Sequence, residues 1–170
     1  MTTVRPMTAA DASAVLAIYA EGIATGHATF ESAAPDWGHF DDSKLAAPRL
    51  VAVDGEGAIA GWAALSPVSS RCVYGGVGEV SVYVSKAARG QGVGRMLLSG
   101  LVEASEAEGL WTLTAGIFAE NTASIRLHTQ CGFERLGVRR GLGKMGHGPM
   151  AGRWRDVVQM ERRSTVAGID

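Results

Sequence analysis

Cysteine is scarce: only Cys72 and Cys131 occur in 170 residues. Two thiols cannot make the disulfide framework of a small secreted domain, so both are expected to be reduced. Cys72, Cys131, His27, His39 and His147 have no metal-type spacing, and no metal is expected. Long apolar runs are also missing, and nothing approaches the roughly 20 residues of a membrane-spanning helix. The opening "MTTVRPMTAADAS" has no apolar core of a secretory leader, which points to the cytoplasm. An excess of one charge is lacking too. With 16 Lys and Arg against 17 Asp and Glu, the formal net charge is −1. That balance offers a phosphate backbone no long-range attraction, so nucleic acid is not an expected partner.

What the chain does have is 46% hydrophobic and 19% charged residues. This suits one folded domain over residues 1–170, with no internal repeat and no linker long enough to divide it. "TVRPM" reads as a strand. "TAAD" is a capping-box-like start, and Val15, Ile18, Tyr19, Gly22 and Ile23 follow helical spacing, giving an amphipathic helix near 9–24. "WGHFDDSKLA" predicts a short helix. "RLVAVD" and "AIAGWAALS" flank the turn "GEG" as strands. In "GEVSVYVS" the valines fall on one face and Glu79, Ser81 and Tyr83 on the other. A helix from Val93 to about Glu108 follows, then the strand "WTLTAGIF". Next comes a helix capped by Asn121, then strands near 134–141 and 154–162. Consecutive strands favour antiparallel pairing, and the later helices favour a crossover. The class is therefore α/β (α+β) with a mixed sheet.

The densest signal is "RGQGVGR". Arg89 and Arg95 enclose Gly90, Gln91, Gly92, Val93 and Gly94 where a helix must begin. A helix N-terminus presents unpaired N–H groups and a partial positive charge. Glycines permit the backbone angles of an anion nest, and arginines add charge, so the stretch reads as a pyrophosphate cradle. On the glycines alone, a tight strand-to-helix turn fits as well. The spacing G-x-G-x-G after the fourth strand is not the dinucleotide fingerprint, and no Gly-Lys-Ser/Thr follows as in a P-loop.

"RGQGVG" matches the Q/R-x-x-G-x-G/A signature of the GNAT acetyltransferase superfamily. With "EGIATGHATFES", "GWAALSP", "GEVSVYV", "NTASIRLH", "CGF" and "GRWRDVV", nearly the whole chain resembles its phosphinothricin and methionine sulfoximine/sulfone N-acetyltransferase branch. "MGHGPMA", within Lys144–Ala151, looks like a short insertion relative to that branch. The resemblance implies a mostly antiparallel sheet flanked by helices and splayed at the strand that binds acetyl-CoA, and it implies a homodimer. Its expected reaction is direct acetyl transfer from acetyl-CoA, as cosubstrate, to the α-amine of a small amino-acid-like acceptor. A polyamine, antibiotic or protein N-terminus as acceptor, or a silent acyl-CoA sensor, are the alternatives.

Acetyl transfer to an amine needs a group to remove the amine proton, a donor to polarise the thioester, and a proton for the departing thiolate. Glu79 is the candidate base. By residue type alone it could equally be a solvated strand-end carboxylate; the resemblance places it at the branch's proposed catalytic glutamate. His128 shares a helix face with Asn121 and Ser124 and matches the branch's histidine, with acid and base roles both open. The resemblance also implies that the backbone of Val82, Tyr83 and Val84 meets the pantetheine arm, with Asn121 and Ser124 near the cofactor. Asn121 alone reads as a helix cap. Phe30, Arg71, Tyr74, Ser81, Tyr83 and Trp154 are the acceptor-site candidates. Arg71 could pair with a carboxylate, or be a solvated loop arginine.

Overall fold

The computed structural model describes all 170 residues. Its strands are β1 (Thr3–Pro6), β2 (Arg49–Val53), β3 (Ile59–Pro67), β4 (Val77–Val84), β5 (Thr112–Phe118), β6 (Glu134–Lys144) and β7 (Trp154–Arg163). Its helices are α1 (Ala12–Ala24), α2 (Trp37–Ser43), α3 (Val93–Ala107) and α4 (Thr122–Gln130). One seven-stranded sheet runs β1-β2-β3-β4-β5-β7-β6. Only β4 and β5 pair in parallel; every other pair is antiparallel. No helix is long and apolar enough to cross a membrane.

The apolar runs of β2 and β3 make sense because helices cover both faces of the sheet. Period-two alternation divides their side chains between two cores. Leu50, Ala52, Ala63 and Leu65 join Leu97, Leu98 and Leu101 of α3 on one face. Val51, Trp62 and Ala64 join Val15 and Ile18 of α1 and Phe40 of α2 on the other. The second core carries a run of stacked rings, Tyr19, Tyr83 and Trp62, with Phe40 edge-on to Trp62. The expected helix near 9–24 starts as a 3₁₀ turn over Ala9–Asp11, where the Asp11 carboxylate accepts from Thr8 N–H at 2.8 Å. Arg5 also binds that carboxylate, holding Asp11 down at a pKa of about 2.

β7, which opens within "GRWRDVV", alternates in exposure, but with residue types reversed at its start. Trp154 is 66% exposed, whereas Arg155 is fully buried. The Arg155 guanidinium lies 3.8 Å from the Phe118 ring centre and donates to the Gly26 carbonyl at 2.8 Å. It also contacts His27 Nδ1 at 3.1 Å and Glu120 at 3.4 Å. A buried cation is tolerated because these partners and the ring replace the water at its terminal nitrogens, while Nε alone has no partner. The glycine-rich insertion packs beside it. β6 extends into it as far as Lys144, and Gly148–Met150 forms a 3₁₀ turn. His147 Nε2 meets the Ile23 carbonyl at 3.3 Å, and Pro149 lies so close to Gly26 that a Cβ there would sit 2.6 Å from it. Together the insertion and Arg155 pin the chain that leaves α1.

Candidate active site

β4 and β5 pair only from Val77–Glu79 against Thr112–Thr114. Beyond Glu79 the two strands diverge, and a cleft opens through the sheet. Ser85 N–H donates to Ala60 of β3. Antiparallel alternation then turns the backbone of Tyr83 and Ser81 towards β3 and that of Val80, Val82 and Val84 towards the gap. Of the three predicted pantetheine contacts, Val82 and Val84 therefore offer free backbone groups. Tyr83 gives its ring to the aromatic stack, where burial pushes its phenol pKa up.

The main cleft has a volume of about 410 Å³ and is lined by Phe30, Glu79, Ser81, Asn121, Ser124 and His128 among others. A neighbouring cleft of about 300 Å³ shares Ala28, Val82, Tyr83 and Asn121 with it and reaches Arg89. The two form one path from the basic loop to the pair Glu79 and His128.

At the loop end, Gly90 has φ +76° and Gly92 has φ +82°, with Gly92 as the N-cap of the 15-residue helix α3. The positive φ explains these two glycines; a Cβ on either would meet nothing within 4 Å. Gly94 serves a different purpose. A Cβ there would lie 3.2 Å from Leu127 of α4 and 3.6 Å from Val84, so its absence lets α3 sit close to both. Gln91 is tied to the loop through Nε2–H to the Ala87 carbonyl at 2.9 Å. Arg89 and Arg95 are exposed beside the helix start. Open N–H groups, left-handed glycines and two arginines suit a diphosphate.

At the other end, Glu79 is exposed on β4. His128 is only 5% exposed, edge-on to Phe133. Its Nδ1 lies 2.8 Å from the Ser124 carbonyl. A carbonyl oxygen only accepts, so Nδ1 carries the proton and Nε2 keeps the lone pair. Burial holds the imidazole pKa below its usual range, against the opposing hydrogen bond to Ser124. At neutral pH the ring is therefore an uncharged proton acceptor. Asn121 is occupied at both ends of its amide: Oδ1 accepts from Ser124 N–H and Nδ2 donates to the His27 carbonyl, each at 3.2 Å. That is the capping role its position suggested.

Phe30 reaches the cleft over Phe118, with ring centres 4.9 Å apart. Arg71, Tyr74 and Trp154 do not line the cleft. Arg71 stacks over Tyr74 at 5.7 Å on the exposed loop that joins the strands bearing Ser66 and Glu79. Sequence reasoning missed Lys44, Ser66, Glu31, Arg139 and Gln159, all of which line the cleft. Lys44 follows α2, and its ammonium donates to Ser66 Oγ at 3.1 Å and Ser81 Oγ at 3.4 Å. Burial lowers its pKa while the charge of Glu79 raises it. No local pattern marks such a residue, because its partners lie 22 and 37 positions away.

Comparison with known proteins places this geometry among enzymes. The model of the acetyltransferase (GNAT) family matches residues 16–133. Phosphinothricin N-acetyltransferase of Alcaligenes faecalis is 37% identical, over 94% of this chain and 81% of that protein. The L-methionine sulfoximine/L-methionine sulfone acetyltransferase of Pseudomonas aeruginosa is 33% identical, over 94% and 92%. A crystal structure of a phosphinothricin acetyltransferase from Sinorhizobium meliloti in complex with acetyl-CoA superposes with a TM-score of 0.87 at 33% identity. It covers 99% of this chain and 91% of that one.

Proposed function

This chain belongs to the GNAT acetyltransferase family and is an acetyl-CoA-dependent N-acetyltransferase; from that premise we propose that it acetylates the α-amine of a small amino acid of the phosphinothricin or methionine sulfoximine/sulfone type. The observation that carries the reading is the pair of adjoining clefts that lead from Val84 and Arg89, at the edge of the glycine loop, to Glu79 and His128. The relatives whose names give these acceptors are matched along nearly the whole chain.

Acetyl-CoA supplies the activated acetyl group. The N–H groups at the start of α3, with Arg89 and Arg95, would hold its diphosphate. The free backbone of Val82 and Val84 would pair with the amides of its pantetheine arm as a neighbouring strand does, and an N–H there would polarise the thioester carbonyl. Glu79 takes the proton that an amino acid's ammonium must lose before it can attack. His128, neutral and with its Nε2 lone pair available, takes the second proton as nitrogen bonds to the acetyl carbon. It then returns that proton to the departing sulfur, so one residue serves as base and then as acid. The net products are the amide, free CoA thiol and one proton left on Glu79. Phe30 and Ser81 bound the acceptor. Attack is direct, without an acyl-enzyme: Cys72 is exposed on a loop, and Cys131 Sγ faces Ser99 Oγ at 3.6 Å, neither lining the cleft.

The reading includes a cytoplasmic homodimer. Leu136, Val138 and Leu142 stand exposed on the edge strand β6, with Trp154 on its partner β7, and this supports pairing of two copies. A screen of amine acceptors with CoA thiol release as readout tests the acceptor. Turnover of spermidine with none of phosphinothricin or methionine sulfone would refute it.

A further inference from the structure

Lys44 is the cation best placed to read the acceptor. It sits on the same side of the sheet as the candidate base. Ser66 is paired directly with Glu79 across β3 and β4, and Ser81 is two residues further along β4, so all three side chains share one face. The ammonium bridges the two serine hydroxyls at 3.1 and 3.4 Å and lies 5.7 Å from the centre of the Phe40 ring. An ammonium has three N–H donors, and the two serines use two of them. Lys44, Ser66, Ser81 and Glu79 all line the main cleft. No carboxylate lies within salt-bridge distance of Lys44.

We propose that Lys44 is the carboxylate anchor of the acceptor site: its third N–H, held in place by Ser66 and Ser81, binds the α-carboxylate of an amino-acid acceptor while Glu79 faces the α-ammonium. This rests on the acceptor reading given above and narrows it. Residues two apart on a strand lie about 7 Å apart. One face of β4 therefore sets an anionic group and a held cation side by side, the arrangement that complements a zwitterion. The carboxylate next to the reacting amine is the feature shared by acceptors with charged and uncharged side chains. The anchor therefore selects the amino-acid end and leaves the side chain to the rest of the cleft, where Phe30, Leu142 and Arg139 lie. Glu31 and Glu79 line the same cleft and penalise an anion bound away from Lys44 and Arg139.

The test compares methionine sulfone with its α-carboxamide, using wild type, Lys44→Met, Lys44→Arg and Arg71→Ala. The wild type is expected to prefer the acid. Lys44→Met should lose roughly ten- to hundredfold in kcat/KM on the acid, mostly through KM, and change little on the amide. Lys44→Arg should keep part of the preference. Equal losses on acid and amide would overturn the proposal, since a packing role or an effect through Glu79 acts on both acceptors alike. Loss of the whole preference in Arg71→Ala, with Lys44→Met keeping it, would also overturn it. Calorimetric titration of the CoA-loaded proteins with acid and amide reads the anchor without turnover. Tighter binding of the acid by wild type but not by Lys44→Met supports it, and equal binding of both ligands by wild type sinks it. A screen in which no amino acid is acetylated refutes the acceptor reading alone, because the titration still decides Lys44.

Discussion

The neutral state of His128 has a cost that can be measured. The ring is 5% exposed and burial lowers its pKa, so in the folded protein it resists protonation that the unfolded chain accepts near pH 6.5. Between the folded pKa and 6.5 the unfolded state binds more protons, and stability therefore rises with pH. The contribution is fully present above pH 6.5 and is lost as pH falls towards the folded pKa. One proton sets the ceiling of the slope at about 1.4 kcal/mol per pH unit. The Ser124 carbonyl, 2.8 Å from Nδ1, favours the charged ring and keeps the slope below that ceiling. Urea unfolding of wild type and His128→Gln at pH 5.5, 6.0, 6.5 and 7.5 isolates the term, since every other group titrates in both proteins. The stability difference between the two should shrink by up to about 1 kcal/mol from pH 6.5 to 5.5. In kinetics, the acid limb of wild-type kcat/KM assigned to this ring should fall below pH 6.5. Parallel stability curves across that window would refute the buried neutral histidine, and with it the proton route drawn through Nε2.

Glu79→Gln keeps the shape of the base and removes its charge. Acetyl-CoA binding should survive, kcat should fall by about 10²–10⁴-fold, and raising pH should restore part of it because more acceptor is already deprotonated; near-wild-type turnover would remove Glu79 from the mechanism. Gly92→Asp puts a carboxylate at the φ +82° cap of α3. The protein should fold at a backbone cost of about 1–2 kcal/mol and lose the rise in Tm that CoA gives the wild type, whereas an undiminished rise would disprove the cradle.

The elements could be read from the sequence because their signals are local. Alternation marks β4, apolar runs either side of the turn "GEG" mark β2 and β3, helical spacing marks α1 and α3, and Asn121 caps α4 as its type suggests. Gly90 and Gly92 were also visible, although positive φ explains them and not the room a side chain would take. What stayed hidden depends on distant partners. Lys44 lies in a polar segment whose helical signal is weak, and only folding brings Ser66 and Ser81 to it. By residue type, "RWRDVV" would bury the tryptophan and expose the arginine. The structure does the reverse, because the Phe118 ring and the Gly26 carbonyl await a cation on that face. Arg71 and Tyr74 are acceptor-site candidates by residue type, and they sit together on an exposed loop that does not line the cleft.

The divergence of β4 from β5 leaves the sheet one strand short at its centre. Whatever fills that gap binds the native state and not the unfolded chain, so it adds directly to folding stability. At a hundred times its dissociation constant a ligand contributes about 2.7 kcal/mol, a large part of what holds a domain of this size together. The enzyme's lifetime in a cell should therefore follow the supply of its acetyl donor. On the proposed binding mode, a plentiful donor would shield the free backbone of Val82 and Val84 and the protein should persist. When the donor runs low, the same stretch of β4 would stand as an unpaired internal edge, a place from which local unfolding and proteolysis should start.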